Sequence, residues 1–341
     1  MKILVTGASG FLGQYVVAAA LSQGYQVRAA VRPSTAQNLL PWYNHPAVEV
    51  MKIDLRTSDL LSVALQGIDV VIHLAAAKQG DFDTQYADTV VATENLLQAM
   101  VVNRVLRLVA ISTFSVFDYF HIPTGATIDE ESITVQQPQH RDVYAQVKLL
   151  QENLFRRFEQ QDCGKVTIIR PGMIYGRDNL WNACLGVKVS DRLWIRIGDH
   201  AQMPLTYVEN CADSIVKAVE CDQAIGKTLN IVDNDLPNQR VYAEKIAQFM
   251  TRSPYTITIS WTVMCLVAQF AWQCNRLLLA NKIKLPGLFV PARLHARFKP
   301  LSYSNVYAQQ VLKWQPKYSL DAALERSCSD INLLTEQHQL T

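Results

Sequence analysis

A chain of 341 residues, 49% apolar and 18% charged, can bury a large core and is too mixed in composition to be disordered or fibrous. A formal net charge of +2 supplies no overall field for a polyanion, so nucleic acid is not an expected partner. The seven cysteines are scattered, odd in number and without a C-x-x-C pair, which speaks against a disulfide scaffold or a thiolate metal site and fits reduced thiols in a cytoplasmic protein.

The first residues, Lys2-Ile3-Leu4-Val5-Thr6, read as a core strand, so no cleavable leader is expected ahead of the fold. Gly7-Ala8-Ser9-Gly10-Phe11-Leu12-Gly13 follows, and Gln14 to Leu21 reads as a helix. A strand, a glycine turn and a helix make a dinucleotide-phosphate site for a physical reason. Glycine lets the backbone turn tightly and approach the pyrophosphate, and the helix start aims unpaired N–H groups at it. The G-x-x-G-x-x-G spacing here is one residue longer in its first gap than the G-x-G-x-x-G fingerprint.

Tyr25 to Val31 is a second strand, ending in Val31-Arg32-Pro33. An acid at this place accepts hydrogen bonds from the 2′-hydroxyl of NAD; a neutral residue followed by Arg32 instead favours the 2′-phosphate of NADP. NADP(H) is therefore the expected cofactor, with NAD(H) as the alternative. Val48 to Ile53 is a third strand, followed by Asp54-Leu55, where Asp54 could bond the adenine amine. Asp69 to Ala77 is a fourth, in which Leu74, Ala75 and Ala76 let a flat ring approach the backbone. His73, inside that apolar strand, reads as a satisfied core histidine.

A long helix is expected over Thr84 to Met100 and a fifth strand over Val105 to Ile111, followed by Ser112-Thr113-Phe114-Ser115. Strands alternating with helices at this rhythm give an α/β fold with a doubly wound parallel sheet, whose ligands sit at the carboxyl ends of the strands. Tyr144 and Lys148 then fall four residues apart on one helix that runs through Phe158. A free phenol has a pKa of about 10; a neighbouring ammonium lowers it, so that the phenol could exchange a proton with a substrate hydroxyl or carbonyl.

These residues bring a family into view. The chain resembles the extended short-chain dehydrogenase/reductases, also called NAD-dependent epimerase/dehydratase-like proteins. The matching pieces are Thr6-Gly-Ala-Ser-Gly-Phe-Leu-Gly13, Asp54-Leu55, His73-Leu-Ala-Ala76, Ser112-Thr-Phe-Ser-Val-Phe117, Tyr144-x-x-x-Lys148, Arg170-Pro-Gly-Met-Ile-Tyr-Gly176, and a late Leu312-Lys-Trp-Gln-Pro316 with Tyr318-Ser-Leu-Asp321. The resemblance implies a Rossmann domain over residues 1–174, rejoined by 205–235, and a smaller substrate lobe from 175–204 and 236–341. It also implies Thr113, Tyr144 and Lys148 as catalytic residues, Lys148 as a holder of the nicotinamide ribose, and Pro171 and Met173 as its packing partners. Two departures matter. Phe114 and Ser115 stand where sugar-nucleotide dehydratases carry an acid pair, so dehydration is not expected. Thr89 and Ala92 align where the family often has Asn and Gly. The Val31-Arg32-Pro33 ending resembles the 3β-hydroxysteroid dehydrogenase and flavonol reductase branch.

Three activities compete: an oxidoreductase interconverting a secondary alcohol and a ketone on a bulky, sterol- or lipid-like substrate; a nucleotide-sugar epimerase, whose pyrophosphate would suit Arg293 and Arg297; and a non-catalytic NAD(P)H-binding sensor or assembly subunit. Phe114 is a further candidate substrate contact. No resident metal is expected, and a second copy of the chain is a candidate partner.

Charge is unevenly placed. From Lys245 to Leu320 there is no Asp or Glu, but there are ten Lys and Arg, including Lys282, Lys284, Arg293, Arg297 and Lys299; the other 22 basic residues face 30 acidic ones. Within this region Ser253 to Asn275 is uncharged. It reads as a buried lobe helix, an interfacial membrane helix or a true span, and residues 257–299 are the candidate membrane contact.

Overall fold

The computed structural model describes every residue except 58, 182, 191, 251–253, 279–284, 286, 330 and 339–341. Short apolar runs with few or no charges cannot tolerate water on either side, and they become the inner strands of a sheet covered on both faces. These are β1 (Lys2–Thr6), β4 (Val70–His73) and β5 (Arg107–Ile111), whose residues are nearly all buried. β2 (Gln26–Val31) and β3 (Val48–Lys52) extend the sheet on one side, and the strands Lys165–Pro171 and Thr228–Ile231 on the other. Every pairing is parallel, with Val5 opposite Ala29 and Ile72.

Strand alternation sends Leu4 to one face and Val5 to the other. Val5 packs with Val16, Ile215 and Val216 from the helices Phe11–Ser22 and Val208–Glu220. Leu4 packs with Leu96, Leu154 and Phe155 from the helices Ala92–Val102 and Val143–Gln161. The chain runs outward from β1 to β3 and then crosses to β4 on the other side of β1. The strand order therefore reverses between β1 and β4, and their carboxyl ends, Gly7 and Leu74–Ala76, border the crevice where such sheets bind ligands.

The helix expected from Thr84 to Met100 is composite. Phe82–Tyr86 runs into a wider π-helical turn over Ala87–Val91 and then into Ala92–Val102. Such a turn inserts a residue and re-aims the side chains on either side of it.

Outside the large sheet lie a parallel pair, Met173–Tyr175 with Leu205–Tyr207, whose Tyr175, Leu205 and Tyr207 join the core on one face of that sheet, and a three-stranded sheet of Gly186–Ser190, Leu193–Ile197 and Tyr255–Ile259. The uncharged stretch is not one helix. Thr256-Ile257-Thr258-Ile259 has the β-branched character of a strand and forms one, and a helix begins only at Trp261. Among the described residues no helix is long and apolar enough to cross a membrane, so the spanning reading is set aside. The helix Trp261–Leu278 packs Met264 and Ala268 against Ile197, Leu294 and Phe298.

Candidate active site

Gly7 has φ +68°, and a Cβ there would lie 2.9 Å from the Ala75 nitrogen; a Cβ at Gly13 would lie 2.1 Å from the Gly7 oxygen. Any side chain at either position would push β1, the turn and the following helix apart. Gly10 caps that helix with no side-chain bond, and its first turn holds no acid, so its N–H groups face the turn uncompensated. Ser9 receives the Thr35 hydroxyl at 3.5 Å, Phe11 packs edge-on against Tyr15, and Leu12 is half-buried. This cradle fits a dinucleotide pyrophosphate.

Beyond β2, Arg32 is 67% exposed in its side chain and reaches Asp88 at 3.0 Å. Arg56 meets the same Asp88 at 3.3 Å and clasps Asp54 at 2.6 Å. The Asp54 carboxyl, expected at the adenine, is held below the usual carboxylate range by that hydrogen-bonded guanidinium. Leu55 is half-buried beside it, as are Leu74, Ala75 and Ala76 beyond β4.

Thr113 follows β5 and caps a short 3-10 turn over Phe114–Val116, its hydroxyl accepting from the Ser115 N–H at 3.2 Å. The Tyr144 phenol lies near the same hydroxyl. Tyr144 keeps part of its surface open, yet burial pushes its phenol up to about 12, and the nearby Thr113 hydroxyl opposes this only in part. The expected lowering by Lys148 is not seen, because the ammonium is turned elsewhere. It donates to the Ile111 carbonyl at 2.6 Å and to the Gln151 side-chain oxygen. Burial brings Lys148 down to about 7, opposed by the Glu152 charge and reinforced by Lys78.

Gln151 joins Lys148 to a buried polar chain. Its amide nitrogen donates to Thr93 Oγ1 at 2.7 Å, and Thr93 donates to the Thr89 carbonyl at 2.6 Å. His73 Nε2 lies 2.9 Å from Thr93 Oγ1, and its Nδ1 lies 2.7 Å from Thr6 Oγ1. With the ring proton on Nε2, His73 donates to Thr93 and accepts from Thr6, and the Gln151 amide, 3.2 Å from Nε2, turns its second proton to the Ala75 carbonyl at 3.4 Å. Burial lowers His73 to about 3, with the Lys148 charge adding to the effect, and keeps the ring neutral. The core-histidine reading holds. Thr89, in the π-helical turn, accepts from the Ala77 N–H at 3.0 Å. One turn beyond Lys148, Glu152 binds Arg170 in a two-pronged pair at 2.9 and 2.8 Å. Burial alone would raise the Glu152 pKa, but the Arg170 bonds and charge outweigh it and hold it low.

Pro171 is buried at the end of its strand, and Met173 receives the Cys184 thiol at 2.9 Å. Phe114 is buried, stacked on Tyr303 and edge-on to Phe117, so it lies within a small aromatic core. Arg293 is half-buried beside Gly287, and Arg297 is exposed on the helix Pro291–Phe298. Lys299 is buried and donates to the carbonyls of Tyr119, at 2.8 Å, and Ile122. Lys282 and Lys284 lie outside the described residues. No group of three or more His, Cys, Asp or Glu among the described residues could hold a metal ion.

The strand topology thus brings Gly7, Arg32, Asp54, Ala75 and Thr113 to one sheet edge, with Tyr144 near Thr113 there. Gln151, Thr93 and Thr6 escaped sequence reasoning. The signal for Gln151 was present, since positions 144, 148 and 151 follow one another along a helix face. Nothing local marks Thr93 as the residue under His73.

The family described as "NAD dependent epimerase/dehydratase family" has a model that matches residues 3–231. A 3 beta-hydroxysteroid dehydrogenase/Delta 5-->4-isomerase of Mycobacterium tuberculosis is 32% identical over 185 residues, covering 51% of this chain and 47% of that protein, so the match spans about half the length of that relative. The human sterol-4-alpha-carboxylate 3-dehydrogenase, decarboxylating, is 24% identical over 96% of this chain and 87% of its own. Among solved structures, UDP-glucuronic acid 4-epimerase from Bacillus cereus in complex with NAD superposes with a TM-score of 0.71 at 21% identity, covering 99% of this chain and 100% of that one, a likeness of fold.

Proposed function

The chain belongs to the NAD dependent epimerase/dehydratase family, and on that premise we propose that it is an NADP-preferring oxidoreductase interconverting a secondary alcohol and a ketone on a bulky, apolar substrate. The observation that carries the reading is the placement of the Tyr144 phenol near the Thr113 hydroxyl at the carboxyl edge of the sheet, with Lys148 one helical turn away. When bound, the nicotinamide supplies or accepts the hydride. The chain's own part is the proton. Burial keeps Tyr144 a neutral phenol at physiological pH, the form that can donate its proton to a carbonyl oxygen. Thr113 orients that oxygen. Lys148, fixed by Ile111 and Gln151, stands one helical turn from the phenol, placed to hold the cofactor ribose once it swings from its present acceptors.

Phe114 and Ser115 offer no acid–base pair, which argues against dehydration; Phe114, expected as a substrate contact, is instead packed into the aromatic core with Phe117 and Tyr303. Arg32 supports the NADP preference, although a 2′-phosphate would have to draw it from Asp88. A second reading, sugar-nucleotide epimerisation, draws on Arg297, exposed in the lobe and without an ion pair to any described carboxylate. Turnover of Tyr144→Phe separates the outcomes. Loss of at least ~10²-fold with cofactor affinity nearly unchanged is expected for a deleted general acid. Full turnover on the true substrate would overturn the assignment, and conversion of a nucleotide sugar without net NADPH consumption would move it to epimerisation.

A further inference from the structure

We propose that the exposed face of the helix Trp261–Leu278 seats this protein on an anionic lipid surface. The helix is two-sided in an unusual sense. Its inner face buries Met264 and Ala268 in the lobe. Its outer face carries Val263, Leu266, Val267, Phe270 and Leu277, spaced three, four or seven residues apart and so aligned in one stripe. That stripe faces solvent: Leu266 is 63% exposed, Phe270 71% and Leu277 78%. Single exposed apolar residues are ordinary, but an aligned row of this length marks an interaction surface. The strand that feeds the helix adds Tyr255, 72% exposed, and Ile257.

The charges around the stripe identify the occupant. Arg276 stands at the end of the helix with its guanidinium 5.6 Å over the Trp272 ring, a pairing of an interfacial aromatic with a cation. Arg276 makes no ion pair with any described carboxylate, and no acidic residue occurs in the sequence from 245 to 320. A protein partner would match such a surface with scattered complementary charge. A sheet of anionic head groups over an apolar layer matches it, with the stripe entering the interface and Arg276 meeting a phosphate. No helix among the described residues is fit to span, so the contact is peripheral. Ring contacts tie the start of this helix to the rest of the molecule, Trp261 to His295 and His295 to Phe120, each at 5.2 Å. The proposal does not depend on the reaction the site performs.

Flotation of the full-length protein with vesicles of phosphatidylcholine, alone or mixed with phosphatidylglycerol, tests it. Binding to the mixed vesicles at low salt, weakened as salt rises, is expected, with tryptophan emission quenched by brominated acyl chains. Arg276→Ala should weaken partition about fivefold, the worth of one cation near a charged surface. Leu266→Asp with Phe270→Asp should abolish binding while leaving the melting temperature in place, since both side chains are exposed. Absence of binding to mixed vesicles at low salt would overturn the proposal. So would equal binding to neutral vesicles. A concentration-dependent dimer dispersed by the double substitution, without vesicle binding, would also overturn it and assign the face to a second copy of the chain.

Discussion

Two long helices of this molecule treat their apolar residues in opposite ways. Val143–Gln161 buries Val147, Leu154, Phe155 and Phe158 against the sheet and turns Asn153 and Arg157 to water; none of its large apolar side chains is exposed. Trp261–Leu278 buries a narrow strip and shows its larger apolar residues to solvent. Yet the first helix carries the more costly interior, for it buries Lys148, Gln151 and Glu152 as well. The Rossmann half thus spends its covered surface on holding polar groups in place, and the lobe leaves apolar surface uncovered. Buried polar groups that are fully bonded rigidify a site, whereas an exposed apolar stripe adds nothing to folding stability until something covers it.

The contrast can be broken by substitution, beginning with the largest effect. Glu152→Ala leaves the Arg170 guanidinium buried without its partner, and a loss of about 3–5 kcal/mol is expected in urea unfolding. A loss below ~1 kcal/mol would mean that the pair is solvated and that the first helix resembles the second. Arg32→Ala, at the sheet edge, should weaken NADPH binding about tenfold or more and leave NADH binding nearly unchanged, because the proposed contact of that side chain is with the 2′-phosphate alone. Equal affinities for both cofactors in the unaltered protein, measured by titration, would remove the NADP preference.

A third effect is one of pH. Burial lowers Lys148 to about 7 from the lysine value of 10.5, so between those values the unfolded chain binds more protons than the folded one and stability rises with pH. Lys148→Met should flatten that rise, by up to ~1.4 kcal/mol per pH unit; identical slopes would show that the ammonium is not buried. The smallest effect should come from the other helix. Phe270→Ser removes a large apolar side chain, yet at 71% exposure its cost should stay within ~0.5 kcal/mol, since it fills no core. A cost of 2 kcal/mol or more would place Phe270 in a packed interface of the protein in solution.

Much of the site was legible because its signals are local. The strand, glycine turn and helix at residues 2–21, the Val31-Arg32 ending and the Tyr144/Lys148 spacing all depend on neighbours in sequence, and periodicity reports on neighbours. The doubly wound sheet followed from the rhythm of its strands. The direction of the Tyr144 pKa was not legible. It is set by the burial of the phenol, which only the packed fold decides, while the Lys148 ammonium is held by the Ile111 carbonyl of a distant strand and by Gln151 of its own helix. The Thr6, His73, Thr93 and Gln151 chain joins four segments that only the sheet and its covering helices bring together. Residues 253–275 show the same limit. Composition marks them as apolar and uncharged, but whether an apolar residue is buried depends on what packs over it. The sequence alone determined that this protein has a dinucleotide fold, a tyrosine–lysine helix and an acid-free basic region. Tertiary structure alone decided which groups those residues face, because burial and hydrogen bonding are set by segments far apart along the chain.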